Sequence, residues 1–133
     1  MFLTMKRIIQ TEKAPKAIGP YSQAVEINST LYISGQIPLD PNTNEVVKGG
    51  IAEQTEQVMK NIGSILSAAG YSYSDVVKST CMLSDLANFS TMNEIYSKYY
   101  TKDFPARSTF QVAGLPKGVM VEIETIAAKR LDL

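Results

Sequence analysis

The longest regular pattern of apolar positions in the chain spans Ile51–Ala69. Mostly apolar side chains recur there every three or four residues, which places them along one side of an α-helix. The repeating positions are Ile51, Thr55, Val58, Ile62, Ile65, Leu66 and Ala69. Gly70 follows immediately, and glycine is the usual residue at the left-handed position that ends a helix. The pattern therefore predicts a helix over Ile51–Ala69 that Gly70 ends.

A second helix is predicted over residues 89–100. Its apolar side is formed by residues three or four apart, namely Phe89, Met92, Tyr96 and Tyr99. Asn88 or Ser90 could cap the first turn, because both side-chain types accept hydrogen bonds from backbone N–H groups at a helix start. The sequence does not decide between these two caps.

Short apolar segments elsewhere alternate with polar residues, which is typical of β-strands. They occur at residues 6–11, 24–27, 31–34, 75–83, 107–112 and 119–128. In the fourth segment, the alternation places Val77, Cys81 and Leu83 on one face. Asn28-Ser29-Thr30 favours a tight turn between the second and third segments. The proline and glycine residues of segment 38–50 predict a loop.

The order of elements is β-β-β-α-β-α-β-β, which predicts an α+β fold with a mixed six-stranded sheet and both helices on one face. Apolar residues nevertheless occur on both sides of the last strand. Val121 and Ile123 point one way, whereas Met120 and Ile126 point the other way. Two helices can cover only one face of such a sheet. We therefore expect the chain to self-associate through its other face, although the pattern does not fix the number of subunits.

The length of 133 residues is that of one ordinary domain, with residues 1–5 as a short extension. The apolar start of the chain is too short to be the core of a signal peptide, and no stretch approaches the roughly 18 apolar residues of a membrane span. We therefore expect a cytosolic protein with no membrane partner. Thirteen Lys and Arg residues balance thirteen Asp and Glu residues, so the composition does not indicate a nucleic-acid partner.

The residues that are scarce narrow the possible chemistry. The chain contains no histidine, which excludes Ser-His-Asp catalysis, Cys-His catalysis and every histidine-based zinc site. Cys81 is the single cysteine, so it cannot form an intramolecular disulfide, and we expect it to be a small buried residue. Acid–base chemistry would have to use carboxylates, tyrosine, lysine, backbone groups or water.

Arg107, at the start of a predicted strand, is a candidate for binding a carboxylate. Its guanidinium can hold a carboxylate through two parallel hydrogen bonds, although a surface ion pair is the simpler alternative. If residues 107–112 and 119–128 form a symmetric antiparallel hairpin, Thr109 lies opposite Glu122 and Arg107 lies opposite Glu124. Such a hairpin would bring an anchor for a carboxylate close to a base for water, or would form a structural Arg–Glu pair. A register shift of one residue would move the carboxylates to the other face.

Three further residues each have two interpretations. Tyr21 lies in the stiff turn Gly19-Pro20-Tyr21-Ser22-Gln23 and either packs there or lines a pocket. Gly35 follows a strand, where glycine permits either a turn or the close approach of a ligand. Asn93 either caps or bonds to the backbone, or belongs to a site.

Six short segments, taken together, resemble the Rid (YjgF) family. They are IGPYSQA at 18–24, SGQIP at 34–38, EQT at 53–55 with NI at 61–62, NEIY at 93–96, PARS at 105–108, and LPK at 115–117 leading to VEIE at 121–124. Each segment alone is a weak signal. Their order and separations match the family from about residue 6 to the C-terminus.

The resemblance implies a chorismate-mutase-like fold and a homotrimer with its three sites in the clefts between subunits. It also implies hydrolytic deamination of 2-imino and enamino acids, such as 2-iminobutanoate, to 2-oxo acids and ammonia, without a cofactor or a metal. By this resemblance, Arg107 binds the substrate carboxylate and Glu122 positions or activates water. The substrate-binding positions that it implies are Tyr21, Ser34, Gly35, Asn93 and Thr109.

The chain departs from the family pattern at a few positions. Thr109 stands where many members have cysteine, and Phe110, Gln111 and Gly114 also differ from the commonest residues. The family's cysteine contributes partly through its backbone, so Thr109 can serve in the same way but without thiol chemistry. The other three differences affect the expected substrate preference more than the expected reaction. Some family members carry the name endoribonuclease or translation inhibitor, a function that the lack of histidine and of net positive charge disfavours here. A non-catalytic binder of small carboxylates, acting through Arg107, is the other alternative.

Overall fold

The computed structural model describes residues 5–130, which form a six-stranded sheet with two helices on one face. The strands are β1 (Arg7–Ile9), β2 (Ala24–Ile27), β3 (Thr30–Gln36), β4 (Leu39–Asp40), β5 (Glu45–Val46), β6 (Val76–Leu83), β7 (Ala106–Gln111) and β8 (Val121–Ala128), and the helices are α1 (Ile51–Ala69) and α2 (Phe89–Tyr96). The main sheet has the order β1-β2-β3-β8-β6-β7. The predicted α+β architecture is confirmed. The extension predicted over residues 1–5 lies, apart from residue 5, outside the described residues.

The sheet is mixed because one pair of its strands is parallel. β6 and β7 run in the same direction, whereas every other neighbouring pair in the main sheet is antiparallel. A parallel pair needs a crossover connection, which α2 provides between β6 and β7. The predicted hairpin of the last two strands is therefore wrong, because β6 lies between β7 and β8 and pairs with both.

Helix α1 has the predicted bounds and forms one wall of the core. Gly70 ends it in the left-handed conformation with φ of 84°, and the N–H of Tyr71 donates to the carbonyl of Leu66 over 2.8 Å. The inner stripe of the helix is fully or almost fully buried, including Val58, Ile62, Ile65 and Leu66. Burial of each such side chain stabilises the fold by about 1.5–3 kcal/mol.

Helix α2 is shorter than predicted and begins differently. It ends at Tyr96 instead of continuing to residue 100. Asn88 occupies the position before the first turn but makes no capping hydrogen bond through its side chain, and Ser90 lies inside the helix. The segment that leads into α2 is instead held by Asp85, whose side chain accepts a hydrogen bond from the N–H of Ala87 over 2.9 Å.

Two details of the strands also differ from the prediction. The predicted loop over residues 38–50 contains the small antiparallel pair β4–β5, which lies outside the main sheet. Val77 does not share the buried face of Cys81 and Leu83, because it is 48% exposed while they are fully buried. A shift in the pairing of β6 with β8 between Val76 and Lys78 interrupts the alternation at this point.

The face of the sheet opposite the helices carries an apolar row that crosses four strands. Ile8, Val25, Tyr32 and Ile126 are successive register partners on β1, β2, β3 and β8. Ile8 is 51% exposed and Tyr32 is 48% exposed. Both described helices pack on the other face, so this row has no cover within residues 5–130. Neither described helix is long and apolar enough to cross a membrane.

Candidate active site

The uncovered face of the sheet bears a cleft of about 540 Å³ beside β3 and β8. Four of the candidate residues line it, namely Tyr21, Ser34, Gly35 and Glu122. Glu124 lines the same cleft, as do Lys16 and Lys117 at its rim. We call this cleft, lined by Tyr21, Gly35, Glu122 and Glu124, the carboxylate cleft after the side chains of its two glutamates.

Gly35 makes room for the carboxylate of Glu122. A Cβ atom added at position 35 would overlap Glu122 Oε2 and would lie 2.9 Å from Glu122 Cδ. The pairing of β3 with β8 shifts by one residue between Ile33 and Gln36, which brings the backbone at Gly35 over the Glu122 side chain. Glycine at this position therefore leaves room for the carboxylate where the structure places it, and any larger residue would force the Glu122 side chain to move.

The carboxylate of Glu122 is half-buried, and this changes its acidity. Loss of water around the side chain raises the pKa of Glu122 above its usual value, and the negative charge of Glu124 raises that pKa further. A carboxylate with a raised pKa accepts a proton more readily once it is ionised. Glu122 therefore has the environment of a general base.

The turn that carries Tyr21 is fixed by hydrogen bonds to its neighbours. The Ser34 hydroxyl donates to the carbonyl of Ser22 over 2.6 Å, and the Ser34 N–H donates to the carbonyl of Gln23 over 3.0 Å. The side chain of Gln23 is buried and donates to the carbonyl of Pro15 over 2.8 Å. Ser34 thus contributes a structural bond to the wall of the cleft, while Tyr21 remains 52% exposed.

Arg107 lies on the opposite face of the sheet from Glu122. Arg107 pairs with Ser79 on β6, and Ser79 pairs with Thr125 on β8, so these three side chains share the face covered by the helices. Glu122 and Glu124 alternate with Thr125 along β8 and occupy the other face. The predicted convergence of Arg107 and Thr109 with Glu122 and Glu124 within one chain is therefore wrong.

Neutral groups surround the guanidinium of Arg107. Its Nη1 donates to Oδ1 of Asn93 over 2.7 Å. Its Cζ lies 4.8 Å from the ring centroid of Tyr96 and 5.5 Å from that of Phe89. Within residues 5–130 the ion pair observed is Arg7–Glu26, so the charge of Arg107 has no carboxylate partner in this part of the chain. We call Phe89, Asn93, Tyr96 and Arg107 the arginine site.

Thr109 and Cys81 lie next to the arginine site but face the interior. Thr109 pairs with Cys81, whose side chain is fully buried as predicted. Burial raises the pKa of Cys81 to about 11, although the positive charge of Arg107 lowers it. The thiol is therefore protonated at neutral pH and does not act as a nucleophile there.

Two buried amides on α1 hold the walls of the carboxylate cleft, and the prediction from sequence did not identify them. Nδ2 of Asn61 donates to the carbonyl of Leu39 over 3.0 Å and to that of Ile37 over 3.3 Å. Oε1 of Gln54 accepts from the N–H of Met120 over 2.8 Å, two residues before Glu122. The sequence feature that could have indicated them is their seven-residue spacing, which places both amides on the buried side of α1.

This combination of fold and cleft defines a chorismate-mutase-like α+β protein whose open sheet face bears a small cleft lined by both apolar and charged side chains. The chain belongs to the Rid family, whose sequence model, described as endoribonuclease L-PSP, matches residues 11–129. It is 54% identical to human 2-iminobutanoate/2-iminopropanoate deaminase over 92% of this chain and 90% of the human protein.

Solved structures of the family have the same fold. RidA from an Antarctic Psychrobacter superposes with a TM-score of 0.89 at 49% identity, covering 92% of this chain and 99% of that one. Escherichia coli TdcF, crystallised with bound serine, has a TM-score of 0.89 at 42% identity, covering 93% of this chain and 99% of that one.

Proposed function

We propose that this protein hydrolyses 2-imino acids, such as 2-iminobutanoate and 2-iminopropanoate, to the corresponding 2-oxo acids and ammonia. The name of the human relative supports this reaction. The single observation that carries the proposal is the carboxylate of Glu122, half-buried against Gly35 at the base of a cleft of small-molecule size. A carboxylate with a raised pKa can activate the water that the reaction consumes.

We further propose that the complete site forms between two subunits of a homotrimer. Arg107 and Glu122 occupy opposite faces of one sheet, so one chain cannot present both to the same small molecule. Arg107 lies on β7, the strand at the edge of the sheet, where a neighbouring subunit can reach it. The uncovered apolar row on the other face supports an interface there. In this arrangement the arginine site of one subunit meets the carboxylate cleft of the next.

The reaction needs orientation and water more than a strong nucleophile. The iminium carbon of the protonated substrate is already electrophilic, and two hydrogen bonds from Arg107 hold the substrate carboxylate. Glu122 accepts a proton from water as the water oxygen bonds to C2, and the electron pair of the C=N bond moves to nitrogen. Glu122 then returns that proton to the amino group. Ammonia leaves as the hydroxyl oxygen forms the C=O bond and gives its proton to Glu122, which is ionised again at this point and passes the proton to solvent.

The other candidate residues have supporting roles in this proposal. Tyr21 and the backbone at Gly35 line the cleft in which Glu122 holds the attacking water. Asn93 orients Arg107, and Thr109 lies beside it. Ser34 fixes the turn that carries Tyr21. The cytosolic location expected from the sequence stays a prediction.

A coupled assay tests the proposed reaction. A threonine dehydratase generates 2-iminobutanoate in place, and the rate of 2-oxobutanoate or ammonia release is measured with and without the protein. We expect acceleration by the wild type and at least about a hundred-fold loss with Arg107→Ala or Glu122→Gln, since orientation and general-base contributions reach this size. Arg107→Lys should also lose most activity, because lysine keeps the charge without the two-pronged geometry. No acceleration by the wild type would reject the proposal.

A non-catalytic carboxylate-binding protein is the second candidate. It is favoured by the serine bound in E. coli TdcF, which is a small carboxylate and not an imine. This function predicts binding of small carboxylates that Arg107→Ala abolishes, together with no hydrolysis of 2-iminobutanoate by the wild type. The same assay, followed by titration with serine and 2-oxobutanoate, therefore separates the two candidates.

A further inference from the structure

The arginine site contains two aromatic rings to which the proposed reaction assigns no role. Phe89, Asn93 and Tyr96 are spaced four and three residues apart on α2, so they form one stripe of the helix facing β7. All three contact the guanidinium of Arg107, one through a hydrogen bond and two through ring faces. A packing role in the core alone would not require the whole stripe to converge on one cation.

The chemistry of these contacts suits an arginine that must bind an anion. A carboxylate partner in the same chain would neutralise Arg107 and compete with the substrate. An amide oxygen and two ring faces stabilise the cation without neutralising it. One hydrogen bond to Asn93 also leaves most of the five N–H donors of the guanidinium available.

The Tyr96 ring is more buried and more tightly packed than the Phe89 ring. It is 6% exposed, and its ring centroid lies 4.7 Å from that of Tyr100, which in turn packs edge-on against Tyr73 at 5.8 Å. Burial raises the pKa of Tyr96, so the ring carries a neutral phenol at neutral pH and not a phenolate that would pair with the arginine. Phe89, which is 36% exposed, covers the guanidinium of Arg107 on its solvent side.

We propose that Tyr96, assisted by Phe89, is a positioning residue that fixes the guanidinium plane of Arg107 for two-pronged binding of the substrate carboxylate. This inference rests on the proposed function of Arg107. Without the Tyr96 ring, Arg107 keeps its hydrogen bond to Asn93 and its longer contact with the more exposed Phe89 ring, and it samples orientations in which its two donors no longer match a carboxylate. The expected consequence is weaker carboxylate binding without loss of the assembled protein.

Binding of 2-oxobutanoate, the stable product, provides a readout that does not depend on turnover. We expect Tyr96→Leu to weaken its binding about ten-fold and Phe89→Leu about three-fold, the range of cation–ring interactions between exposed and buried settings. Tyr96→Phe keeps the ring and should stay within about two-fold of the wild type. Tyr99→Leu is the matched control. Tyr99 belongs to the same aromatic cluster through its contact with Tyr73, but within residues 5–130 it forms neither a hydrogen bond nor a ring–cation contact with Arg107.

A double-mutant cycle decides whether Tyr96 acts through Arg107. Dissociation constants are measured by NMR titration for the wild type, Tyr96→Leu, Arg107→Ala and the double variant, with melting temperature and oligomer mass followed for each. If Tyr96 positions Arg107, Tyr96→Leu should have almost no further effect once Arg107 is gone. An equal loss in both backgrounds, or an equal loss with Tyr96→Phe and Tyr96→Leu, would overturn the inference.

The outcomes also separate this inference from the proposed function. A wild type that hydrolyses 2-iminobutanoate, combined with a cycle that shows no coupling, rejects the role of Tyr96 alone. A wild type that neither hydrolyses the imine nor binds 2-oxobutanoate rejects the proposed function, and the positioning role is rejected with it.

Discussion

The carboxylate cleft and the arginine site lie on opposite faces of one sheet and are built by different means. The cleft depends mainly on backbone, namely a glycine at an irregularity of β3 and a stiff turn, and the side-chain amides of Gln54 and Asn61 hold its walls. The arginine site depends on side chains along one stripe of α2. The carboxylate cleft raises the pKa of Glu122, whereas the arginine site leaves Arg107 without a charged partner in the described part of the chain. Each half lacks what the other supplies, which is why we place them together across a subunit interface.

The largest expected effect tests the backbone side of this comparison. Gly35→Ala introduces a Cβ into the space of the Glu122 carboxylate and displaces the base. We expect imine hydrolysis to fall about a hundred-fold, because small misplacements of reacting groups are costly. The Cβ meets only the flexible, half-buried side chain of Glu122, which can move aside, so the free energy of unfolding should change by no more than about 0.5 kcal/mol.

The matched control is Gly114→Ala, because a Cβ added there meets nothing within 4 Å. Rates of imine hydrolysis and denaturant midpoints of both variants provide the comparison. If Gly35→Ala retained the rate of Gly114→Ala, the close approach of Glu122 to position 35 would have no functional meaning.

An intermediate effect is expected from the amide that holds the cleft wall. Asn61→Leu leaves the carbonyls of Ile37 and Leu39 without their donor, which should destabilise the protein by about 1–3 kcal/mol. The wall would shift, and we expect about a ten-fold loss of activity with little change at the arginine site. Binding of 2-oxobutanoate and the rate of imine hydrolysis are measured for Asn61→Leu and for the control variant Lys60→Ala, which changes an exposed residue next to Asn61 on α1. If Asn61→Leu weakened binding of 2-oxobutanoate as much as it slowed imine hydrolysis, Asn61 would support the arginine site as well as the carboxylate cleft.

The smallest expected effect concerns acidity in the carboxylate cleft. Glu124→Gln removes a negative charge that raises the pKa of Glu122, so that pKa should fall. Since the base must be ionised, activity rises with pH through the pKa of Glu122, and the acid limb of kcat/KM should move to lower pH in the variant.

Burial, the larger cause of the raised pKa, persists in this variant, and Lys16, Lys117 and Tyr21 line the same cleft in both proteins. The measurement is the pH profile of imine hydrolysis for wild type and Glu124→Gln. A shift of the acid limb to higher pH would contradict the assignment of Glu122 as the base.

Local patterns predicted the helices and strands well, but not the neighbours of each strand. The spacing along α1 and the glycine after it determined its bounds to the residue, because both signals are local. The hairpin proposed for the last two strands was wrong, since alternation shows which residues share a face but not which strand lies beside which. The irregularity that exposes Val77 and the shift beside Gly35 depend on pairing with β8, which is distant in sequence.

The residues of the candidate site stay a prediction, and their geometry could not be predicted from the sequence. The resemblance to the Rid family indicated Arg107 and Glu122, whereas their positions on opposite faces follow from the strand order. The roles of Gln54 and Asn61 depend on long-range bonds to Met120 and to Leu39, which no local pattern contains.

Subunit complementation tests the central claim, that Arg107 of one subunit serves Glu122 of another. The inactive variants Arg107→Ala and Glu122→Gln are co-assembled in equal amounts, mixed oligomers are verified by mass, and imine hydrolysis is measured. With random assembly, a site with both native residues forms at about one interface in four, so we predict recovery of about a quarter of the wild-type rate. A mixed oligomer as inactive as either parent would show that the site is not shared between subunits.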